Sequence, residues 1–287
     1  MSATTRLTAH DALPLTCTRA GTCCHGKEVW LNPWELACLA AARGVAADDF
    51  RTQHTEPGGI RLRFAGAPGW NGLPACSQYD PARGCVAHAG RPLACRLYPL
   101  GRERRGARVT YLHEGRRFPC LAGCPQVVDL PRLRVADYLA GQDVAPGEAV
   151  QDAYLEVMQD LADGALVLVI DGGLAAAGDA QVLPRWRALA TADDGQRAAA
   201  IPAAWLDLLT VPGLNADAPA AFVERHRELL QERAQLDFAG LRDASALREA
   251  AVLMLGLALH LGRSLGCATA PLAAGWIATA AEHGAVA

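Results

Sequence analysis

The chain carries ten cysteines, and nine of them fall between residues 17 and 124: Cys17, Cys23, Cys24, Cys38, Cys76, Cys85, Cys95, Cys120 and Cys124. Only Cys267 lies beyond them. Residues 15–26, LTCTRAGTCCHG, place three thiols within eight positions, which is too many for ordinary packing. Cys76, Cys85 and Cys95 follow at spacings of nine and ten residues, and Cys120 and Cys124 stand four apart in FPCLAGCP. All of these except Cys38 sit in Gly- and Pro-rich surroundings, a setting that lets ligands converge from different loops. Thiolates are soft ligands that select zinc or iron–sulfur clusters over hard cations. With Cys38 set aside, eight thiols remain, enough for two tetrahedral four-cysteine sites or for one four-cysteine cluster with thiols to spare. The adjacent pair Cys23 and Cys24 fits two ligands of one zinc ion poorly, because neighbouring side chains diverge. Each fits better on a different metal, or with one of the two packing or reacting instead.

Disulfides are the competing use of clustered cysteines. The N-terminus, MSATTRLTAHDALPLTC, has no basic head followed by an apolar run, and LPLTC lacks the hydrophobic segment of a lipoprotein signal. The apolar stretch AAVLMLGLALHLG (250–262) reads as too short to span a bilayer. The expectation is therefore a cytoplasmic protein with no membrane partner, where thiols stay reduced and serve metals or catalysis.

Charge divides the chain as the cysteines do. Residues 1–130 hold 16 Lys+Arg against 10 Asp+Glu, a net +6, and the remainder holds 11 against 20, a net −9. Every basic residue but Lys27 is arginine. Eight arginines fall between 91 and 117: Arg91, Arg96, Arg102, Arg104, Arg105, Arg108, Arg116 and Arg117. The GRERRGAR run reads as a solvated hairpin face ahead of a docking surface for an acidic partner. Nucleic acid is not expected, since the chain is net acidic and no aromatics interleave the arginines.

The elements that must hold the thiols are short in the first half. KEVWL (27–31), RLRF (61–64) and RVTYLH (108–113) are strand candidates. Asn32-Pro33-Trp34-Glu35 has the form of a helix start, with Asn as N-cap, Pro first in the helix and Glu three residues after the cap. That helix runs to Gly44 and carries Cys38 in its middle as a buried structural thiol. From about residue 130 the texture becomes helical: RLRVADYLAG, GEAVQDAYLEVMQDLADG, APAAFVERHRELLQERAQL and ALREAAVLMLGLALHLGRSLG all show helical apolar spacing. The predicted class is mainly α: a small, loop-rich, metal-stabilised α+β cysteine-cluster domain (1–128) followed by an α-helical domain (129–287). ALVLVIDGGLAAAG (165–178) lacks the G-x-G-x-x-G spacing of a nucleotide loop and reads better as a helix ending at a turn.

The pieces occur in a recognisable order: CTRAGTCC, a strand, NPWE, a cysteine and then GC, GRPLACRLYP, and CLAGC. Together they are similar to the YkgJ-like cysteine-cluster family, marked by C-x-x-C-x-x-C-C and described as zinc- or iron-chelating. The likeness spans roughly residues 15 to 125, and RPLACRLYP is its most specific piece. It implies that Cys17, Cys23, Cys24, Cys76, Cys85, Cys95, Cys120 and Cys124 are the metal ligands, with Arg91, Arg96 and Tyr98 close to the metal. The family includes flagellin lysine N-methylases, which are associated with an iron–sulfur cluster and S-adenosylmethionine. The resemblance thus points to an iron–sulfur enzyme, of the 4Fe-4S type, that transfers a methyl or alkyl group to a protein, a peptide or a small molecule. The alternatives are a zinc-binding structural or interaction protein and a thiol-based redox or metal sensor. Ala20 departs from the motif, standing where its second cysteine belongs. Either that thiol is dispensable as a ligand, or the coordination has changed, leaving an open position or one filled by His25; His88 and His113 are weaker nitrogen ligands, and Tyr98 and Asp80 are candidate acid–base groups that read better as structural hydrogen-bonding residues.

Overall fold

The computed structural model describes residues 5–13, 21–106, 108–113 and 132–286. Two compact units share the chain: the first takes Met1–Val29, Cys38–Ala46 and Leu62–Glu148, the second Trp30–Ala37, Ala47–Arg61 and Ala149–Ala287. These units interleave along the sequence.

The first unit is built on short antiparallel pairs. β1 (Thr5–Leu7), β6 (Arg108–His113) and β5 (Leu100–Arg105) form a sheet in the order β1-β6-β5, with Thr5 and Leu100 both opposite His113. β2 (Ala12–Leu13) pairs with β7 (Leu133–Arg134), and β3 (Tyr79–Asp80) pairs with β4 (Gly84–Cys85). The arginine-rich run is the β5–β6 hairpin, and its charges are largely met within the unit. Glu103 pairs with Arg6 at 3.1 Å and Arg105 at 2.7 Å, and Arg102 with Glu148 at 3.3 Å. Behind the sheet, Leu7, Leu100, Val135 and Tyr138 form one small core, and Leu93, Leu97 and Val144 another. α3 (Leu93–Leu97) and α4 (Val135–Gly141) supply most of these residues.

The expected helix start at Asn32 is present. α1 (Pro33–Arg43) opens with the Asn32 Oδ1 accepting from the Glu35 N–H at 3.0 Å, while Glu35 Oε2 accepts from the Asn32 N–H at 3.1 Å. Pro33 takes the first helical position, where its missing N–H costs nothing. The chain leaves at Gly44, whose φ of 66° is the left-handed conformation that glycine adopts freely. The strands expected at KEVWL and RLRF shrink to a single bridge, Trp30 to Arg61. Hydrogen bonds from Leu31 N to Ile60 O (2.8 Å) and from Leu62 N to Val29 O (2.9 Å) lace the two stretches together, too briefly for a sheet.

The second unit is helical: α2 (Ala47–His54), most of α5 (Ala145–Ile170), α6 (Val182–Thr191), α7 (Asp194–Ala199), α8 (Ala203–Thr210), α9 (Pro219–Phe238), α10 (Ala244–Ser264) and α11 (Thr269–Glu282). One continuous core fills it, with Tyr154, Leu183, Trp186, Trp205, Leu255 and Trp276 among its buried side chains. The segment 250–262, expected to be too short for a bilayer, belongs to the 21-residue α10, which by length and composition could cross one. In the protein α10 is a core helix, buried from Leu255 to Gly262 without a break. The Gly-rich stretch after Val169 is a turn closing α5: Gly173 has φ 85° and Ala175 N–H bonds back to Val169 O at 2.9 Å. The fold is therefore mainly α, with the strands confined to the cysteine-bearing region.

Candidate metal centre

Four segments of the first unit deliver five thiols to one cavity. Cys23 and Cys24 lie on a 3₁₀ turn (Thr22–Cys24) entered through Gly21, whose φ is 75°. A Cβ on Gly21 would stand 2.4 Å from the Tyr79 ring, so only glycine brings this turn so close to the β3–β4 hairpin. Cys76 N–H bonds to Cys24 O at 2.7 Å and Gly26 N–H to Pro74 O at 3.0 Å, which fastens the Cys23–Cys24 segment along the Cys76 segment. Cys76 opens a tight turn and Cys85 ends the following hairpin. Asp80 makes that hairpin: its Oδ1 accepts from the Ala82 and Arg83 N–H groups at 2.9 Å, and the Arg83 guanidinium holds its carboxyl below the ordinary range. Asp80 is thus committed to the turn. Cys95 comes from α3, entered through Pro92, whose O accepts from Cys95 N–H at 2.9 Å.

The cavity measures about 510 Å³ and is walled by Cys23, Cys24, Cys76, Cys85 and Cys95 together with Lys27, Arg91, Tyr98 and Gln142. No Asp or Glu side chain stands among its described lining residues. Among the described residues no group of three or more His, Cys, Asp and Glu is placed to hold a metal ion. All seven described cysteines are free thiols. Cys38 in α1 and Cys267, packed against the helical core, do not line the cavity. Cys17, Ala20, Cys120 and Cys124, with Arg116 and Arg117, lie outside the described residues.

Two of the thiols receive backbone N–H donors. Cys76 Sγ accepts from the Gln78 N–H at 3.5 Å, and Cys85 receives the Ala87 N–H in the same i+2 pattern. Such backbone donors favour the charged sulfur. Burial opposes them. It pushes Cys95 up to about 12 and Cys76 up to about 11, and raises Cys85 as well. The Cys24 thiol donates to Cys23, which is drawn down to about 6 while Cys24 is raised. Lys27 acts electrostatically on Cys23, Cys76 and Cys95, and Arg91 on Cys23 and Cys85, each favouring the thiolate. Without metal at pH 7, then, Cys24, Cys76, Cys85 and Cys95 keep their protons. Metal ligation must displace them, so apparent affinity rises with pH through the neutral range and falls on acidification. Adding zinc to metal-free protein in weak buffer should release protons, as read by a pH indicator. Binding without proton release would contradict this account of the thiols.

The other expected residues fall in two groups. Tyr98 lines the cavity, its ring under the Lys27 ammonium and its carbonyl accepting from the Tyr138 hydroxyl. Arg91 lines it too, donating to His88 O at 3.2 Å and Gln142 Oε1 at 3.3 Å. Arg96 is not in the wall: its guanidinium donates to the carbonyls of Arg91, Gln142 and Ala89 at 2.9–3.0 Å, bracing the segment that carries Arg91 and Cys95. His25 does not line the cavity either. It is 5% exposed, its Nδ1 lies 2.9 Å from Gly21 O, and its ring edge meets Tyr79. It is a loop-locking residue, not a solvated one. His88 lines the cavity, whereas His113 sits on β6 away from it.

Sequence reasoning missed Lys27, Gln142 and Gly90. A Cβ on Gly90 would stand 2.3 Å from Cys38 O, so Gly90 lets the turn before Arg91 rest directly on the α1 backbone. Lys27 carried a readable signal, being the single lysine in 287 residues and three positions after Cys24.

Four thiol-bearing loops laced by backbone bonds, in the order C-C, C, C, C, meet a matching family model. Residues 16–111 match the family model CxxCxxCC. The family is described as a "putative zinc- or iron-chelating domain". The five cavity thiols all lie within the match, whereas Cys120 and Cys124 follow its end. No curated protein and no solved structure matches the chain. The match accounts for a third of the length, and the helical second unit lies mostly beyond it.

Proposed function

We propose that the CxxCxxCC domain holds an iron–sulfur cluster of the 4Fe-4S type and that the protein is a group-transfer enzyme using S-adenosylmethionine. The carrying observation is that five thiols from separate segments line one cavity of about 510 Å³ within the stretch that matches a putative zinc- or iron-chelating domain. The donor set fits such a group: soft sulfurs, two of them with backbone N–H donors, and cations in the wall. Cys23, Cys24, Cys76, Cys85 and Cys95 are the described residues from which it would be held, with Cys17, Cys120 and Cys124 completing the expected set.

The transfer reading rests on the resemblance to the YkgJ-like cysteine-cluster family, which includes flagellin lysine N-methylases. A bound cluster supplies a Lewis-acidic iron that can anchor a ligand at an unfilled position. This chain's own residues bound the space beside it: Tyr98 and Tyr138 give an apolar and aromatic wall, and Arg91 and Gln142 give fixed polar groups. A protein, a peptide or a small molecule is the methyl acceptor. The free thiols of the described region suit a reducing, cytoplasmic setting.

Purification without oxygen tests the proposal. A brown protein with iron and acid-labile sulfide in equal amounts is the expected result. A colourless protein holding stoichiometric zinc would overturn it in favour of a structural or interaction role.

A further inference from the structure

A second cavity of the first unit, of about 380 Å³, is walled by Thr22, His25, Pro68, Trp70, Tyr79 and Pro81, with small residues between them. Its size falls within the ~300–1,000 Å³ of small-molecule sites. It shares Tyr79 and Pro81 with the thiol cavity, while none of the five thiols stands among its described lining residues. One wall is the loop GAPGWNGLP (66–74), which closes on itself. Gly66 N–H bonds to Ala75 O at 2.9 Å, and Gly69 N–H to Leu73 O and Leu73 N–H to Trp70 O at 3.0 Å. Asn71 at its tip takes φ 53°, a left-handed conformation that persists only where the surroundings hold it. The loop thereby presents the half-buried Trp70 on a fixed backbone. The Trp70 indole N–H has no acceptor, so the ring can adjust to a ligand without breaking a hydrogen bond.

His25 gives this cavity its polar point. The residue is 5% exposed, and its Nδ1 lies 2.9 Å from Gly21 O. A carbonyl only accepts, so Nδ1 carries the proton and Nε2 keeps its lone pair. Nε2 has no partner among the described residues, and it points at the cavity loop: a Cβ on Gly69 would stand 2.1 Å from it. Glycine at position 69 therefore keeps this nitrogen uncovered. An acceptor so enclosed costs free energy until a donor reaches it, and the cavity is where a donor can enter.

We propose that this cavity is a second binding site, one for a flat heteroaromatic ring that carries an N–H donor. The ring lies against Trp70 and the Pro68 and Pro81 rings, and its N–H donates to His25 Nε2. Aromatic and proline faces favour a flat apolar ligand, and the imidazole acceptor selects the edge that bears the donor. A ring of the same shape without that N–H leaves Nε2 uncompensated, which is how the site discriminates. The inference goes beyond the metal-centre reading and does not depend on which metal the thiols hold.

Titration calorimetry of the full chain, purified without oxygen, tests this with indole and 1-methylindole as probes. Indole should bind at one site per chain, and 1-methylindole about tenfold more weakly. In His25→Phe that preference should vanish, because a ring remains and the acceptor does not. Trp70→Leu should weaken both probes about tenfold. Should His25→Phe fail to fold, Trp70→Leu and Gly69→Ala carry the test, since the methyl of Gly69→Ala would cover Nε2 and should abolish indole binding. No indole binding by the folded parent, equal affinity for the two probes, or parent-like binding by Trp70→Leu would each overturn the proposal.

Discussion

Replacing Cys95 or Cys76 by alanine should strip the protein of most of its metal, while Cys38→Ala and Cys267→Ala should leave metal content unchanged. All four are free thiols, and they differ in where they stand. Cys76 and Cys95 line the cavity from two separate loops; Cys38 and Cys267 do not. Because metal binding and folding are linked in small thiolate domains, the first two variants should also lose thermal stability. The cost should exceed that of deleting a buried sulfur alone, about 1–2 kcal/mol. Metal analysis beside a thermal melt checks both parts. Equal metal loss in all four variants would mean that the cavity is not the site.

The second large effect concerns Gly90→Ala. The added methyl would stand 2.3 Å from Cys38 O and 2.7 Å from Cys38 C, which are backbone atoms of α1 that cannot swing aside. Either α1 or the turn leading to Arg91 must shift. Overpacking against a rigid neighbour costs about 3 kcal/mol, and here the shift also moves Arg91 and Cys95, so metal retention should fall with the melting temperature. Gly141→Ala is the matching control. It closes α4 with nothing within 4 Å of the new Cβ, so alanine should leave stability unchanged or raise it by up to about 1 kcal/mol. Similar destabilisation of both variants would show that the α1 contact carries no special weight.

These contrasts show what was legible in the residues and what was not. Asn32-Pro33-Trp34-Glu35 could be read because a helix start is local chemistry: cap, ring and carboxylate act within four residues. The helical second half was legible through its apolar spacing, and α10 through its run of Leu and Ala. The strands expected at KEVWL and RLRF failed because a sheet needs a partner over several residues, and these two stretches meet for about one bridge. Cys76, Cys85 and Cys95 were readable as thiols that converge, and they line one cavity. Arg96 was not readable as a brace, because the carbonyls it holds are brought to it only by folding. His25 looked like a loop histidine beside a thiol, and only the approach of Gly69, whose Cβ would lie 2.1 Å from His25 Nε2, reveals how tightly it is enclosed. Lys27 combined both cases: its rarity was visible, and its seat over Tyr98 was not.

The central claim is a polynuclear centre held by these cysteines, and X-ray absorption at the metal edge of the natively loaded protein tests it most directly. The account predicts iron surrounded by sulfur with a second shell of iron scatterers, diminished together in Cys95→Ala. A zinc edge with four sulfur neighbours and no metal–metal shell would contradict it.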